Sequence, residues 1–273
     1  MTLGESINAL IRENGVPLLL KSWTPATDSS ITSIKRSLKT YSSHFWLEKR
    51  GAKMVSDKNR KPLATMGKNN IAIITFFSFH RDRGEATAEA ELRVSTQFVH
   101  AFLDKHAGRI RGVMVDLRYH EGGWFLPVVF SLQRYLNNSS LIQFGKIRGG
   151  KSKSHYGWCN MIDGKIKYGQ HYMESRCAMP MAVLVGRKTN SSGEIAAAIF
   201  KGRTGCKLFG SSTRGHLSVI QDFVVAKDYE LGLVTYLVTT PDGEFHDSET
   251  LEPDVNTNRP VSMAMSYLTE MQL

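Results

Sequence analysis

Apolar residues near the start of the chain recur at helical spacing. Ile7, Leu10 and Ile11 share one side of a helix that Gly15 and Pro17 terminate. Ile31, Ile34 and Leu38 repeat the pattern and predict a second helix over residues 29–38. A polar, basic stretch follows from 49 to 70, with Pro62 and Gly67 marking loop or hairpin. Residues 1–66 therefore read as a small helical cap with its connecting loop, and residues 67–273 as the main domain.

From Asn70 the pattern changes to short apolar runs separated by amphipathic stretches. Residues 71–77, 112–117 and 181–185 are β-rich runs, the latter two apolar enough to be buried strands. Leu92, Val94, Phe98 and Phe102 give helical periodicity over 85–105, and Val128, Val129, Leu132 and Leu136 do so over 125–136. A further helix is predicted at 192–201 and a last one beyond Pro253. Residues 223–225 and 231–239 predict paired strands that meet near Asp228. The segment 146–174, rich in Gly, Lys and Tyr, lacks strong periodicity and predicts hairpin or surface loops. Repeated strand–helix–strand units mean an α/β fold with right-handed crossovers.

Composition sets the outer bounds. With 273 residues, 41% of them hydrophobic, the chain can bury a sizeable core as one large domain with an appendage. No apolar run approaches the roughly 20 residues that cross a bilayer, and the residues around Ile7 lack a signal peptide's apolar centre. As written the chain is expected in the cytoplasm, unless an anchor precedes it. Cys159, Cys177 and Cys206 are odd in number and share no metal-type spacing, so reduced, packed thiols are expected. The formal charge of +10 comes most densely from Lys49-Arg50, Lys53, Lys58, Arg60, Lys61 and the stretch 146–153. Those patches carry little interleaved aromatic residue and no nucleic-acid motif, so they read as solvated basic surface.

The chemistry concentrates at Thr189-Asn190-Ser191-Ser192-Gly193-Glu194, directly behind the apolar run 181–185. A strand ending at Gly186 and a helix starting near Ser192 leave Ser191 at the helix's amino end. Unpaired N–H groups and the macrodipole favour an oxyanion there, as a nucleophilic serine needs. Ser191-x-x-Glu194 is equally a capping box. Upstream, Asp116-Leu117-Arg118-Tyr119-His120-Glu121-Gly122-Gly123 sits between a strand and a helix, where paired glycines let a backbone N–H approach a substrate, or simply make a turn. Downstream lie Phe209-Gly210-Ser211-Ser212-Thr213-Arg214-Gly215-His216, the turn Thr240-Pro241-Asp242-Gly243, and Leu251-Glu252-Pro253-Asp254-Val255.

In this order and at these separations the segments resemble the S41 family of serine peptidases, the tail-specific or C-terminal-processing proteases, over roughly residues 40–260. The family's Asp-Leu-Arg-x-Asn-x-Gly-Gly pattern falls on residues 116–123, with His120 where asparagine is usual. Its Thr-Ala-Ser-Ser-Gly-Glu pattern falls on residues 189–194, with Asn190 in place of alanine. Phe200-Lys201-Gly202-Arg203, Phe209-Gly210, Thr213-x-Gly215 and Pro253-Asp254 also look like that family. The resemblance implies a ClpP/crotonase-like spiral β/α core. The interval from His44 to Ile71 is too short for the PDZ domain of tail-specific members, a module of roughly 80–100 residues.

The same resemblance implies Ser191 as nucleophile but leaves its base open. Tail-specific members pair the serine with a lysine at the slot held here by His216, which rules out a Ser–Lys dyad there. The PDZ-less branch containing nisin-resistance proteases takes a histidine from a His-Ser-aromatic segment in the N-terminal part. Ser43-His44-Phe45-Trp46 is similar to it, with Phe45 in place of the serine, and implies His44 as general base, with His216 as the alternative. His80 and His120 have weaker claims. The N–H groups of Ser192 and of Gly122 or Gly123 would hold the oxyanion, Glu194 would cap the helix, and Asp116 and Arg118 would order the turn. The implied reaction is peptide-bond hydrolysis through an acyl-enzyme, with neither metal nor cofactor. The expected partner is a short or flexible peptide, acidic or presenting a C-terminal carboxylate. A catalytically inactive peptide-binding or immunity protein on the same scaffold, and an esterase, remain the alternatives.

Overall fold

The computed structural model describes residues 1–28, 30–50, 61–79, 85–136, 139–146, 155–163, 165–169, 173, 176–226, 228–240, 245–246 and 250–272. His80, the basic positions Lys53, Lys58 and Arg60, the stretch 147–153, and Pro241-Asp242-Gly243 lie outside the described residues.

In chain order the helices are α1 (Leu3–Asn14), α2 (Pro17–Leu20), α3 (Ile31–Tyr41), α4 (Glu85–His106), α5 (Leu126–Ser131), α6 (Gln133–Leu136), α7 (Ser192–Ala198) and α8 (Pro260–Glu270). The strands are β1 (Trp46–Lys49), β2 (Leu63–Met66), β3 (Ile71–Thr75), β4 (Gly112–Asp116), β5 (Ser139–Lys146), β6 (His155–Ile162), β7 (Lys165–Gly169), β8 (Arg176–Val185), β9 (Thr204–Gly210), β10 (Ser218–Val225), β11 (Tyr229–Thr239), β12 (Phe245–His246) and β13 (Val255–Asn256).

Among the described residues the strands form two sheets. One runs β2-β3-β4-β8-β9-β13, parallel throughout except for β2, which lies antiparallel on β3. Its central strands are covered on both faces, and successive side chains divide between them. Val113, Val115, Met181, Val183 and Val185 enter the core that includes Val99, Leu103 and the α7 residues Ala196 and Ala197. Met114, Ala182 and Leu184 face the opposite way, onto Ala264 and Leu268 of α8. The strands therefore read as unbroken apolar runs. Their C-terminal ends line up, which is where open α/β sheets place their chemistry.

The second sheet is antiparallel, ordered β1-β11-β5-β6-β7, with β10 and β12 also paired to β11. Helices α1 and α3 pack on it through Ile7, Ile11, Ile34 and Leu38, against Leu231, Leu233, Val234 and Leu237. Tyr41 ties them together: its hydroxyl donates to the Val234 carbonyl at 2.6 Å and accepts the Val16 N–H at 3.0 Å. Burial pushes that phenol up to about 12.

The structure resolves three sequence expectations further. The stretch expected as loop or hairpin from 49 to 70 contains β2, which makes an antiparallel hairpin with β3, and β1 begins just before it. The helix expected over 125–136 leaves helical dihedrals at Leu132 and divides into α5 and α6. Of the hairpin or surface loops expected over 146–174, the hairpin is present: β6 and β7 pair antiparallel and extend a meander with β5. Its alternation is shallow because Ile142, Cys159 and Met161 point into the core while Lys165 and Lys167 do not.

Candidate active site

The loop after β8 turns sharply into α7, and Ser191 stands at the corner with φ 51° and ψ −116°. A non-glycine residue holds that conformation only where its surroundings over-determine it. Here they do. Thr189 is fully buried, donating from Oγ1 to the Leu117 carbonyl and accepting the Gly186 N–H, each at 3.0 Å. The Asn190 N–H and Nδ2 donate to the carbonyls of His120 and Glu121. Gly193 presses against the His120 carbonyl so closely that a Cβ has no room. The loop after β8 is thereby locked onto the loop after β4.

Within that second loop Gly122 and Gly123 adopt φ of +130° and +100°, open to glycine and strained for other residues. A Cβ on Gly122 would meet the Ser191 Cβ at 3.5 Å, so the glycine backbone lies against the serine. The N–H of Ser192, the first residue of α7, has no acceptor within its own helix. The Gly122 backbone and the amino end of α7 thus both lie beside Ser191.

His44 reaches this corner from the other sheet. It lies between α3 and β1, its N–H donating to Ser42 Oγ at 2.9 Å. Its Nε2 is 3.1 Å from Ser191 Oγ and its Nδ1 is 2.8 Å from Ser218 Oγ. The ring is 7% exposed and stacks on His216, with centroids 4.7 Å apart and planes 2° from parallel. Burial, and then the His216 charge, push His44 down to about 3, so the imidazole is neutral near pH 7. Burial and then Arg214 lower His216 as well. His216 thus contributes the face of its ring to His44.

Glu194 is fully buried, and its role is larger than a helix cap. Its carboxylate accepts the Ser191 N–H at 2.9 Å, the expected capping contact. It also accepts the Thr213 hydroxyl at 2.5 Å and the N–H groups of Gly215 and His216, each at 2.8 Å. Burial raises its pKa against the pull of these bonds. One carboxylate therefore fastens the serine corner to the segment bearing His216 and Ser218.

The remaining candidates fall outside the contact. His120 is fully buried with its ring against Gly193. Asp116 and Arg118 make a two-pronged ion pair at 2.7 and 2.9 Å, which orders the turn. Cys159, Cys177 and Cys206 are free and buried. Among the described residues no group of three or more His, Cys, Asp and Glu is placed to hold a metal ion, and no helix is long and apolar enough to cross a membrane. Sequence reasoning missed Ser218 and the reach of Glu194. No local motif marks either, since both act across segments distant in sequence.

A half-buried serine at a strand-to-helix corner, with an imidazole nitrogen on its hydroxyl and glycine backbone against it, has the layout that acyl transfer requires. The nisin-resistance protein of Lactococcus lactis subsp. lactis is 26% identical over 213 residues, covering 76% of this chain and 63% of that protein. This chain thus matches less than two thirds of that relative's length. A solved lipoprotein structure from Streptococcus agalactiae shares the fold, with a TM-score of 0.72 at 18% identity, over 99% of this chain and 97% of that one. The model of peptidase family S41 matches residues 70–257, which hold the loops after β4, β8 and β9, and this chain belongs to that family.

Proposed function

We propose that the protein is a serine-type peptidase that cleaves a short or flexible peptide through an acyl-enzyme. Ser191 is the nucleophile, His44 its general base, and the N–H groups of Ser192 and of Gly122 or Gly123 are the oxyanion donors. The reading rests on one observation, the 3.1 Å separation of His44 Nε2 and Ser191 Oγ, which is within hydrogen-bond reach for a base and its nucleophile.

In the first step the Ser191 proton passes to His44 Nε2 while Oγ attacks the scissile carbonyl carbon. The carbonyl oxygen becomes an oxyanion facing the backbone donors. The imidazolium then protonates the departing amine, and the C–N bond breaks to leave an ester on Ser191. A water that gives its proton to His44 attacks that ester, releasing the acid and restoring the serine.

Arg187 and Lys188 in the serine loop and Arg214 beside His216 are exposed basic residues around the site. They favour an acidic peptide or a peptide C-terminal carboxylate. The name of the L. lactis relative points to a peptide bacteriocin as the physiological substrate class, and thus to a role in bacteriocin resistance.

A fluorophosphonate probe should label Ser191, and the label should vanish in Ser191→Ala and fall by about 10²–10⁴-fold in His44→Ala. Labelling that persists in Ser191→Ala, or that depends on His216 instead of His44, would overturn the assignment. A second reading, a peptide-binding or immunity protein without turnover, is favoured by the low basicity of His44. Folded wild-type protein that takes no label yet binds peptide would establish it.

A further inference from the structure

His44 needs a second partner to serve as a base, because an imidazole accepts at Nε2 only when its one proton sits on Nδ1. In many serine hydrolases an aspartate holds that proton. Here the position at Nδ1 is taken by a serine hydroxyl, Ser218 Oγ at 2.8 Å.

We propose that Ser218 is a positioning residue: its hydroxyl accepts the Nδ1–H of His44 and locks the imidazole in the tautomer whose bare Nε2 faces Ser191. Ser218 is 1% exposed and His44 7% exposed, so bulk water does not compete for Nδ1. The pair is also held by a single sheet. Ser218 opens β10, which pairs with β11 from Ser218↔Leu237, and β1, two residues beyond His44, pairs with the same strand from Trp46↔Gly232. The Ser218 N–H donates to the His216 carbonyl at 2.8 Å, which fixes the turn that also stacks the His216 ring on His44. The contact that would set the tautomer thus lies within the antiparallel sheet and its adjoining turns, while Ser191 comes from the parallel sheet.

The consequence is a relay without a buried negative charge at Nδ1. When Ser191 gives its proton to Nε2, the Nδ1–H stays on His44 and Ser218 remains a neutral hydroxyl, so Ser218 aims the base without adding countercharge. Among the described residues, the titratable group against the ring is His216 on its face, with Arg214 acting on His216 and Glu194 holding the His216 backbone N–H.

This inference rests on the hydrolase reading, but its main test does not require turnover. In ¹⁵N-histidine NMR of the full chain at pH 7, His44 should be protonated on Nδ1 and bare at Nε2. The isosteric pair Ser218→Thr and Ser218→Val then separates hydroxyl from packing. Threonine should keep that tautomer, and valine should lose it. Fluorophosphonate labelling of Ser191 should slow about 10- to 100-fold in Ser218→Val and stay within a few-fold of wild type in Ser218→Thr. A wild-type His44 protonated on Nε2, or a Ser218→Val protein with unchanged tautomer and labelling rate, would overturn the proposal. Wild-type protein with the expected tautomer and no labelling would sink the hydrolase reading and leave the positioning role standing.

Discussion

The rings of His44 and His216 lie stacked, centroids 4.7 Å apart and planes 2° from parallel, with His44 Nε2 on the Ser191 hydroxyl. Two imidazolium ions at that separation repel, so protonating one opposes protonating the other. His216→Phe keeps a ring on His44 and removes the charge. The acid limb of the Ser191 labelling rate should then move to higher pH, while the rate at pH 7–8 stays within about tenfold. A pH series of probe labelling on both proteins measures it.

The same depressed pKa makes stability depend on pH. An unfolded chain protonates His44 near 6.5, whereas the folded protein holds it neutral down to about 3. Between those values the unfolded state binds the extra proton, so the contribution is intact above pH 6.5 and is lost as pH falls. The slope is at most about 1.4 kcal/mol per pH unit. Denaturation midpoints at pH 6.5 and 5.0 should drop more for wild type than for His44→Gln.

Glu194, fully buried, joins the serine corner to the Thr213–His216 contacts. Glu194→Ala would leave these donors buried without an acceptor, and a loss of about 3–5 kcal/mol is expected from removing one side of such a network. Urea unfolding gives the number. Glu194→Gln, which keeps shape but not charge, should lose less stability than alanine.

Gly193 faces the His120 carbonyl with no space for a methyl group. Gly193→Ala must push α7 away from the loop after β4. It should cost about 1–3 kcal/mol and slow Ser191 labelling, because Ser191 and the Gly122 backbone are in contact across that seam. A stable variant with an unchanged labelling rate would refute the coupling.

Tyr41 offers a contrasting case, its hydroxyl being bonded to Val16 and Val234. Tyr41→Phe leaves the Val16 N–H and the Val234 carbonyl short of a partner, at a cost of about 1–3 kcal/mol. Labelling of the folded fraction should be unchanged, since neither group touches His44.

The parallel sheet was legible in the chain because burial on both faces leaves unbroken apolar runs, as at Gly112–Asp116, whose period and bounding glycines need no partner to be read. The Ser191 corner was legible for a similar reason: strand, turn and helix start are local, and Ser191-x-x-Glu194 reports its own cap. The antiparallel meander was not, because one wet face and many lysines and glycines blur its alternation. Nor could local pattern choose between His44 and His216, which lie 147 and 25 positions from the serine: His44 reaches it from the other sheet, and His216 stacks on His44. That choice, with Ser218 on the imidazole and Glu194 spanning the loops, belongs to tertiary structure: a hydrogen bond between distant segments depends on distance in space, and single-sequence periodicity carries no record of it.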